Sequence, residues 1–304
     1  MTATNQRGAV RCLTSPPYQP PAPCIETAIR ARLQTTDKAL VPYLMAGFPS
    51  EAQFIDAMRA AADAGSDVVE VGVPFSDPIA DGPVIQYASQ RCLDRGMTIR
   101  RALDAIDRAA IPMPVVLMSY LNPLLTYGCD RVARDARSVG VRGLVVPDLP
   151  MNGHPTYRRR SQRVPRVISA APPLMQAVDQ FRDAGLELIL LAAPTTDAQR
   201  LLHIGRHTRG FLYAVTVTGV TGARRRMPPE TTAFLRRARA ATPHPVLGGF
   251  GVANATMAAQ VAMHCDGVII GSALIEILRQ GPARTAAKLL HRFLVQIRRT
   301  FKKH

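Results

Sequence analysis

Glu70 stands in the middle of a valine-rich run, Asp67–Val73, and a second acid, Asp81, follows on a loop punctuated by Pro74, Pro78 and Gly82. A carboxylate inside an apolar strand costs several kcal/mol of desolvation unless it is paired or employed. Pro74 ends the strand, and the loop Phe75–Pro83 carries Ser76, Asp77 and Asp81. One acid inside a strand, with another on the loop leaving its C-terminal end, lies where parallel α/β proteins bind their ligands. Two such groups suit proton transfer. A carboxyl held in apolar surroundings has its pKa raised toward neutrality and can both give and retake a proton, while a partner on the loop accepts a hydrogen bond. A salt-bridged core glutamate beside a solvated acidic loop is the other reading these residues allow.

Glycines mark a second kind of site. Gly219 and Gly222 follow a sixth apolar run, Gly249 and Gly251 close a seventh, and Gly271 with Ser272 follows an eighth at the start of a helical run. Glycine lets backbone N–H groups approach an anion, and a helix N-terminus presents unpaired donors and a positive dipole end. The seven histidines fall in loops, helices or the tail. His203 and His207 share the i, i+4 spacing of metal ligands but lack the carboxylate of the usual motif, so they read as an exposed helix face and no metal is expected. The five cysteines are odd in number and scattered, which suits reduced thiols in the cytoplasm.

The elements that must position these residues repeat as strand then helix. Apolar strands are predicted near Leu40–Ala46, Val68–Val73, Val115–Tyr120, Leu144–Val146, Leu186–Ala192, Phe211–Val217, Val246–Gly248 and Gly267–Ile270. Helical patterns fall before and between them, at Ile25–Gln34, Glu51–Ala64, Ile99–Ala110, Asp130–Val139, Leu174–Ala184, Asp197–Arg206, Glu230–Ala241 and Ala253–Met263. Eight such units predict a closed (β/α)8 TIM barrel, a single domain in which phosphate binds after strands seven and eight. The last helix, Pro282 to about Phe301, sets Leu289, Leu290, Phe293, Leu294, Ile297 and Phe301 on one face with cations opposite. It reads as the eighth barrel helix rather than a membrane-surface helix. No apolar run approaches the ~20 residues of a membrane span.

The string EVGVPFSDPIADGPVIQ, Glu70–Gln86, closely resembles the signature of the tryptophan synthase α subunit family. So do VPYLMAGFPS at Val41–Ser50, VVLMSYLNP at Val115–Pro123, LVVPDLP at Leu144–Pro150 and APTT at Ala193–Thr196. VTGVTGAR at Val217–Arg224, GGFGV at Gly248–Val252 and GVIIGSAL at Gly267–Leu274 complete the set, all in family order. The resemblance implies the same barrel and retro-aldol cleavage of indole-3-glycerol phosphate to indole and glyceraldehyde 3-phosphate. It implies Glu70 as the acid–base group and Asp81 as acceptor of the indole N–H. It places the substrate phosphate on Gly222, Gly251, Gly271 and Ser272, and makes Thr221 a lid partner of Asp81. Tyr43, Tyr120, Tyr213 and Phe250 become candidates for the pocket flanking the flat indole. The family's α chain needs no cofactor of its own. Its partner is a pyridoxal-phosphate β subunit, in an α2β2 heterotetramer.

Two stretches depart from the family pattern. Residues 1–24 contain no acid and include PPYQPPAPC, which reads as a disordered, basic, proline-rich tail, with a cleaved targeting peptide as the alternative. The barrel, 25–304, carries an Arg-rich insertion near 151–171, with five arginines in Arg158–Arg166. It follows the fourth strand, on the face where the family meets its β subunit. The net charge of +16 would ordinarily raise nucleic acid as a partner. Its arginines cluster in tails and loops without interleaved aromatics, and there is no Trp, so solvated basic faces are expected instead. The small-molecule lyase stands beside two alternatives: a stand-alone lyase that releases indole, and a non-catalytic barrel that binds a partner.

Overall fold

A computed structural model describes residues 24–35, 37–149, 180–216, 227–249 and 251–301. Helix α1 (Ile25–Leu33) precedes strand β1 (Ala39–Met45), followed by α2 (Glu51–Asp63), β2 (Val69–Gly72), α3 (Pro83–Leu93), α4 (Ile99–Ala109) and β3 (Val115–Met118). Then come α5 (Leu121–Tyr127), α6 (Cys129–Ser138), β4 (Val141–Val145), β5 (Glu187–Ala192), α7 (Ala198–His207) and β6 (Leu212–Val215). The chain continues through α8 (Pro229–Ala240), β7 (Val246–Gly249), α9 (Ala255–Ala262), β8 (Gly267–Ile270), α10 (Ser272–Gln280) and α11 (Ala286–Phe301). The eight strands pair in parallel in chain order, and β8 returns to β1 to close the barrel. This is the predicted (β/α)8 architecture.

Helices α2, α4, α7 and α9 start where polar side chains cap their first N–H groups. Ser50 accepts from the Gln53 N–H, Thr98 from Arg101, Asp197 from Arg200 and Asn254 from Met257. α3 and α5 are not among the helices the pattern predicts. α3 opens on Gly82-Pro83, residues that also make turns; proline is tolerated at a helix's first position because that N–H has no partner anyway. β4 begins at Val141, ahead of the expected Leu144, because Arg142 and Gly143 disguise its first half. The Arg142 guanidinium folds back onto the carbonyls of Arg137 and Val141, and a side chain at Gly143 would press on Ile25 and Ile189.

α1 plugs the N-terminal end of the barrel. Ile25 and Ile29 are fully buried, and the Glu187 carboxylate at the start of β5 accepts from the N–H groups of Ile25 and Glu26. Cys24, at the margin of the expected tail, caps α1 with its thiol. The rest of that tail, the Arg-rich insertion at 151–171 and the helix expected from Leu174 lie outside the described residues, apart from residues 180–184 of that helix. The segments 1–23, 150–179, 217–226 and 302–304 contain one acid, Asp179, among many Arg and Lys, so most of the excess positive charge belongs to them. No helix among the described residues is long and apolar enough to cross a membrane.

Candidate active site

Strand alternation sends Glu70 and Gly72 of β2 to one side, into the barrel. Glu70 is fully buried, and neither of its carboxyl oxygens has a hydrogen-bond partner among the described residues. The salt-bridged core glutamate is thereby excluded among them. Burial pushes the Glu70 carboxyl from an ordinary 4.5 up to about 8, and the Asp81 charge adds to the rise. Such a group is protonated at neutral pH and is poised to donate.

The loop after β2 brings Asp81 over this end of the barrel. Ser89 of α3 grips the loop's start, accepting from the Phe75 N–H at 2.9 Å and donating to the Phe75 carbonyl at 3.0 Å. Gln86 donates to the Asp81 carbonyl at 2.8 Å. Burial raises the half-buried Asp81 carboxyl to about 6, against a hydrogen bond from Tyr120 that lowers it. The two acids are thus set apart, one above neutrality and one below, each raised by its surroundings.

Three tyrosines surround them. Tyr43 of β1 is the register partner of Glu70, and its ring reaches along the barrel to Gly72, where an added Cβ would lie 2.0 Å from the Tyr43 hydroxyl. A Cβ on Gly271 would lie 3.2 Å from the other side of the same ring. Tyr213 of β6 is housed likewise: a Cβ on Gly249 would lie 2.5 Å from its ring. Burial, with the negative charge of Glu70 and Asp81, holds both phenols well above their usual range, so they remain neutral. Tyr120, just past β3, packs against Phe75 with ring centroids 5.1 Å apart. Its hydroxyl accepts from the Ala80 N–H at 2.9 Å.

Among the phosphate candidates, Gly251 has a positive φ of 81°, which only glycine adopts freely, and it is exposed. Gly271 precedes α10 as an N-cap without a side-chain cap, and Ser272 is the helix's first residue. Unpaired helix-start N–H groups of this kind suit an anion. Thr221, Gly222 and Phe250 lie outside the described residues. Sequence reasoning missed Gly72 and read Gly249 only as part of the glycine-marked anion site, whereas their missing side chains make room for the tyrosines; the only signal for the first was that Gly72 sits two residues from Glu70 on the same face. A groove of about 450 Å³ lined by Ile277, Gln280, Pro282, Leu289 and Phe293 lies between α10 and α11 and shares no residue with this site.

Residues 29–304 match the family model described as tryptophan synthase alpha chain. The tryptophan synthase alpha chain of Xylella fastidiosa strain 9a5c is 42% identical over 277 residues, covering 90% of this chain and 96% of the relative. That of Carboxydothermus hydrogenoformans is 43% identical over 244 residues, covering 80% and 84%. The crystal structure of the tryptophan synthase subunit alpha of Legionella pneumophila strain Paris superposes with a TM-score of 0.77 at 31% identity, covering 92% of this chain and 98% of that one. A closed barrel carrying two raised carboxyls at one end, matched over nearly its whole length by these relatives, belongs to the tryptophan synthase alpha chain family.

Proposed function

We infer that Glu70 and Asp81 carry out the retro-aldol cleavage of indole-3-glycerol phosphate, the lyase step by which alpha chains of this family serve tryptophan biosynthesis. The observation that carries the assignment is the Glu70 carboxyl, buried, unpartnered among the described residues and raised to about 8 beside a second acid raised only to about 6. In the reaction, neutral Glu70 gives its proton to indole C3, making that carbon a leaving group. The Asp81 carboxylate accepts the indole N–H and offsets the positive charge that develops on the protonated ring. Glu70, now ionised, takes the proton of the hydroxyl on the adjacent side-chain carbon as the carbon–carbon bond breaks. Indole and the aldehyde leave, and Glu70 is again protonated.

Gly251, Gly271 and Ser272, with Gly222, hold the phosphate in this reading, and Tyr43, Tyr213 and Phe250 flank the indole. Thr221 is the proposed lid contact to Asp81. The chain's own residues perform every step without a cofactor. The family implies a β-subunit partner; the α2β2 assembly, pyridoxal phosphate in that partner and a cytoplasmic location belong to the proposal.

The test is release of indole from indole-3-glycerol phosphate by the pure chain, with and without a β subunit, across pH. The rate should fall below about pH 6, where Asp81 takes up a proton, and above about pH 8, where Glu70 loses one. These limbs belong to the coupled pair. No indole release in either condition would leave the barrel as a partner-binding module.

A further inference from the structure

Tyr120, expected to flank the indole, engages its hydroxyl with the Ala80 N–H, whereas the hydroxyl of Tyr43 makes no hydrogen bond among the described residues. We propose that Tyr43 is a further catalytic residue, whose hydroxyl donates a hydrogen bond to the oxygen on the side-chain carbon that separates from the indole. The inference deepens the lyase reading and rests on its assignment of Glu70 as the group that takes this oxygen's proton.

The strand order places Tyr43 for this contact. β1 lies between β8 and β2, so Tyr43 stands between Gly271, a phosphate candidate, and Glu70, its register partner. A substrate with its phosphate at Gly271 and its indole C3 at Glu70 must lay its three-carbon chain across β1. The Tyr43 ring follows the same line. Its near end lies against Gly271, where an added Cβ would come 3.2 Å from the ring, and its hydroxyl lies over Gly72, where an added Cβ would come 2.0 Å away. Gly72 is two residues beyond Glu70 on the same inner face, one step nearer the barrel mouth. The hydroxyl thus occupies the place a side chain at residue 72 would take, on the mouth side of the acid.

A wall for the indole needs only the ring. The hydroxyl, on a side chain 6% exposed and without a partner among the described residues, is what that role leaves unexplained. Burial and the nearby acids keep the phenol neutral, so its proton remains available to donate. In the cleavage step, the carbon–carbon electron pair passes to the protonated indole, the hydroxyl proton passes to the Glu70 carboxylate, and the oxygen forms the double bond of the aldehyde. Tyr43 neither gains nor loses a proton. Its hydrogen bond steadies that oxygen while the proton leaves and negative charge builds on it. A bond to a neutral hydroxyl contributes less than one to an oxygen bearing charge, so the effect on turnover exceeds the effect on binding.

The test is Tyr43→Phe in the full chain, assayed for indole release across pH. The change removes only the hydroxyl, and no described group bonds it, so the midpoint of urea unfolding should be unchanged. Turnover, kcat, should fall about 10- to 100-fold and KM should rise no more than about 5-fold, the scales of hydrogen bonds to a charged and to a neutral group. The alkaline limb should stay near pH 8, because Glu70 keeps its surroundings. A limb moved to higher pH would show that the hydroxyl serves Glu70 rather than the substrate, and an unchanged kcat would show that it serves neither. Each result overturns the proposal and leaves the lyase reading intact. So would a lowered urea midpoint, the mark of a hydroxyl held by the fold. If the wild-type chain releases no indole, the lyase reading falls and equilibrium binding decides whether the contact exists. Indole-3-glycerol phosphate should then bind Tyr43→Phe about 2- to 10-fold less tightly than wild type, while 3-(indol-3-yl)propyl phosphate, which lacks both side-chain hydroxyls, should bind both proteins equally. Equal losses for the two ligands, or no loss for either, would refute the contact.

Discussion

Replacing Glu70 by Gln should make the protein more stable toward alkaline pH and less active, both from one cause. The folded-state carboxyl sits near 8 against an ordinary 4.5. A group raised in this way favours the folded state fully below the unfolded value, and that support is lost as pH rises through the folded one. Linkage over that interval gives a cost of about 1 kcal/mol at pH 5, about 3 kcal/mol at pH 7 and about 4 kcal/mol at pH 8. Gln cannot ionise, so this charge-dependent cost disappears in the variant. Its buried amide carries a pH-independent desolvation cost of about 1–3 kcal/mol, which shifts the whole comparison without changing its slope. Urea unfolding of both proteins at pH 5 and pH 8 should therefore show the difference moving in the variant's favour by about 3 kcal/mol. Indole release by the variant should fall at least ~100-fold, the scale of a positioned acid–base group. A stability difference independent of pH would mean that Glu70 does not fold as a buried neutral acid. Near-normal turnover would remove it from the chemistry.

Two further perturbations probe the frame around the site. Gly72→Ala would put a Cβ 2.0 Å from the hydroxyl of Tyr43, a buried side chain; overpacking of this kind costs about 1–3 kcal/mol. Tyr43→Leu should return part of that stability in the double variant, and wild-type stability of Gly72→Ala alone, measured by urea unfolding, would show that the ring is not so confined. Buried Asp67 is met at 2.6 Å by both Arg298 of α11 and Arg32 of α1; Arg298→Met should cost about 3 kcal/mol, because it strips one partner from this buried charge cluster. A loss below about 1 kcal/mol in the same measurement would show Arg32 sufficient to hold that cluster by itself.

The barrel was legible because its strands are short apolar runs separated by helical periods, a pattern that few folds repeat eight times. The elements that escaped did so for local reasons. Arg142 and Gly143 look like loop residues, yet the first bonds carbonyls at the barrel floor and the second makes room for the α1 plug. Glu70 was legible as a site residue because a lone carboxylate in a valine run has few inexpensive explanations. Tyr120 was legible as a residue near the site, but its direction was not. Whether a phenol lies against an indole or reaches across to the loop of another strand depends on the strand-to-strand register. The pairing of Gly72 with Tyr43 and of Gly249 with Tyr213 is likewise a property of packing across strands.

The first half of the opening motif carries two buried acids, and their different treatment separates structure from chemistry. Asp67 and Glu70 are three residues apart on one extended segment, so their side chains leave it on opposite faces. Asp67 faces outward, where Arg32 of α1 and Arg298 of α11 each approach it within 2.6 Å, and the Leu40 N–H donates to it at 2.8 Å. Asp37 joins the cluster, 3.7 Å from Arg298. This carboxylate ties the first helix, the last helix and the first two strands together at the end of the barrel away from the acidic loop. Glu70 faces inward and meets no cation and no donor among the described residues. The fold contains arginines able to neutralise a buried acid a few residues away, and the alternation of the strand keeps them from the one whose proton the reaction uses. An arginine brought to the inner face, for example by Val41→Arg, should lower the Glu70 pKa, ionise it at neutral pH and abolish its capacity to protonate indole. Loss of indole release with a retained fold, read by circular dichroism, would support this division; full activity beside an ionised Glu70 would contradict it.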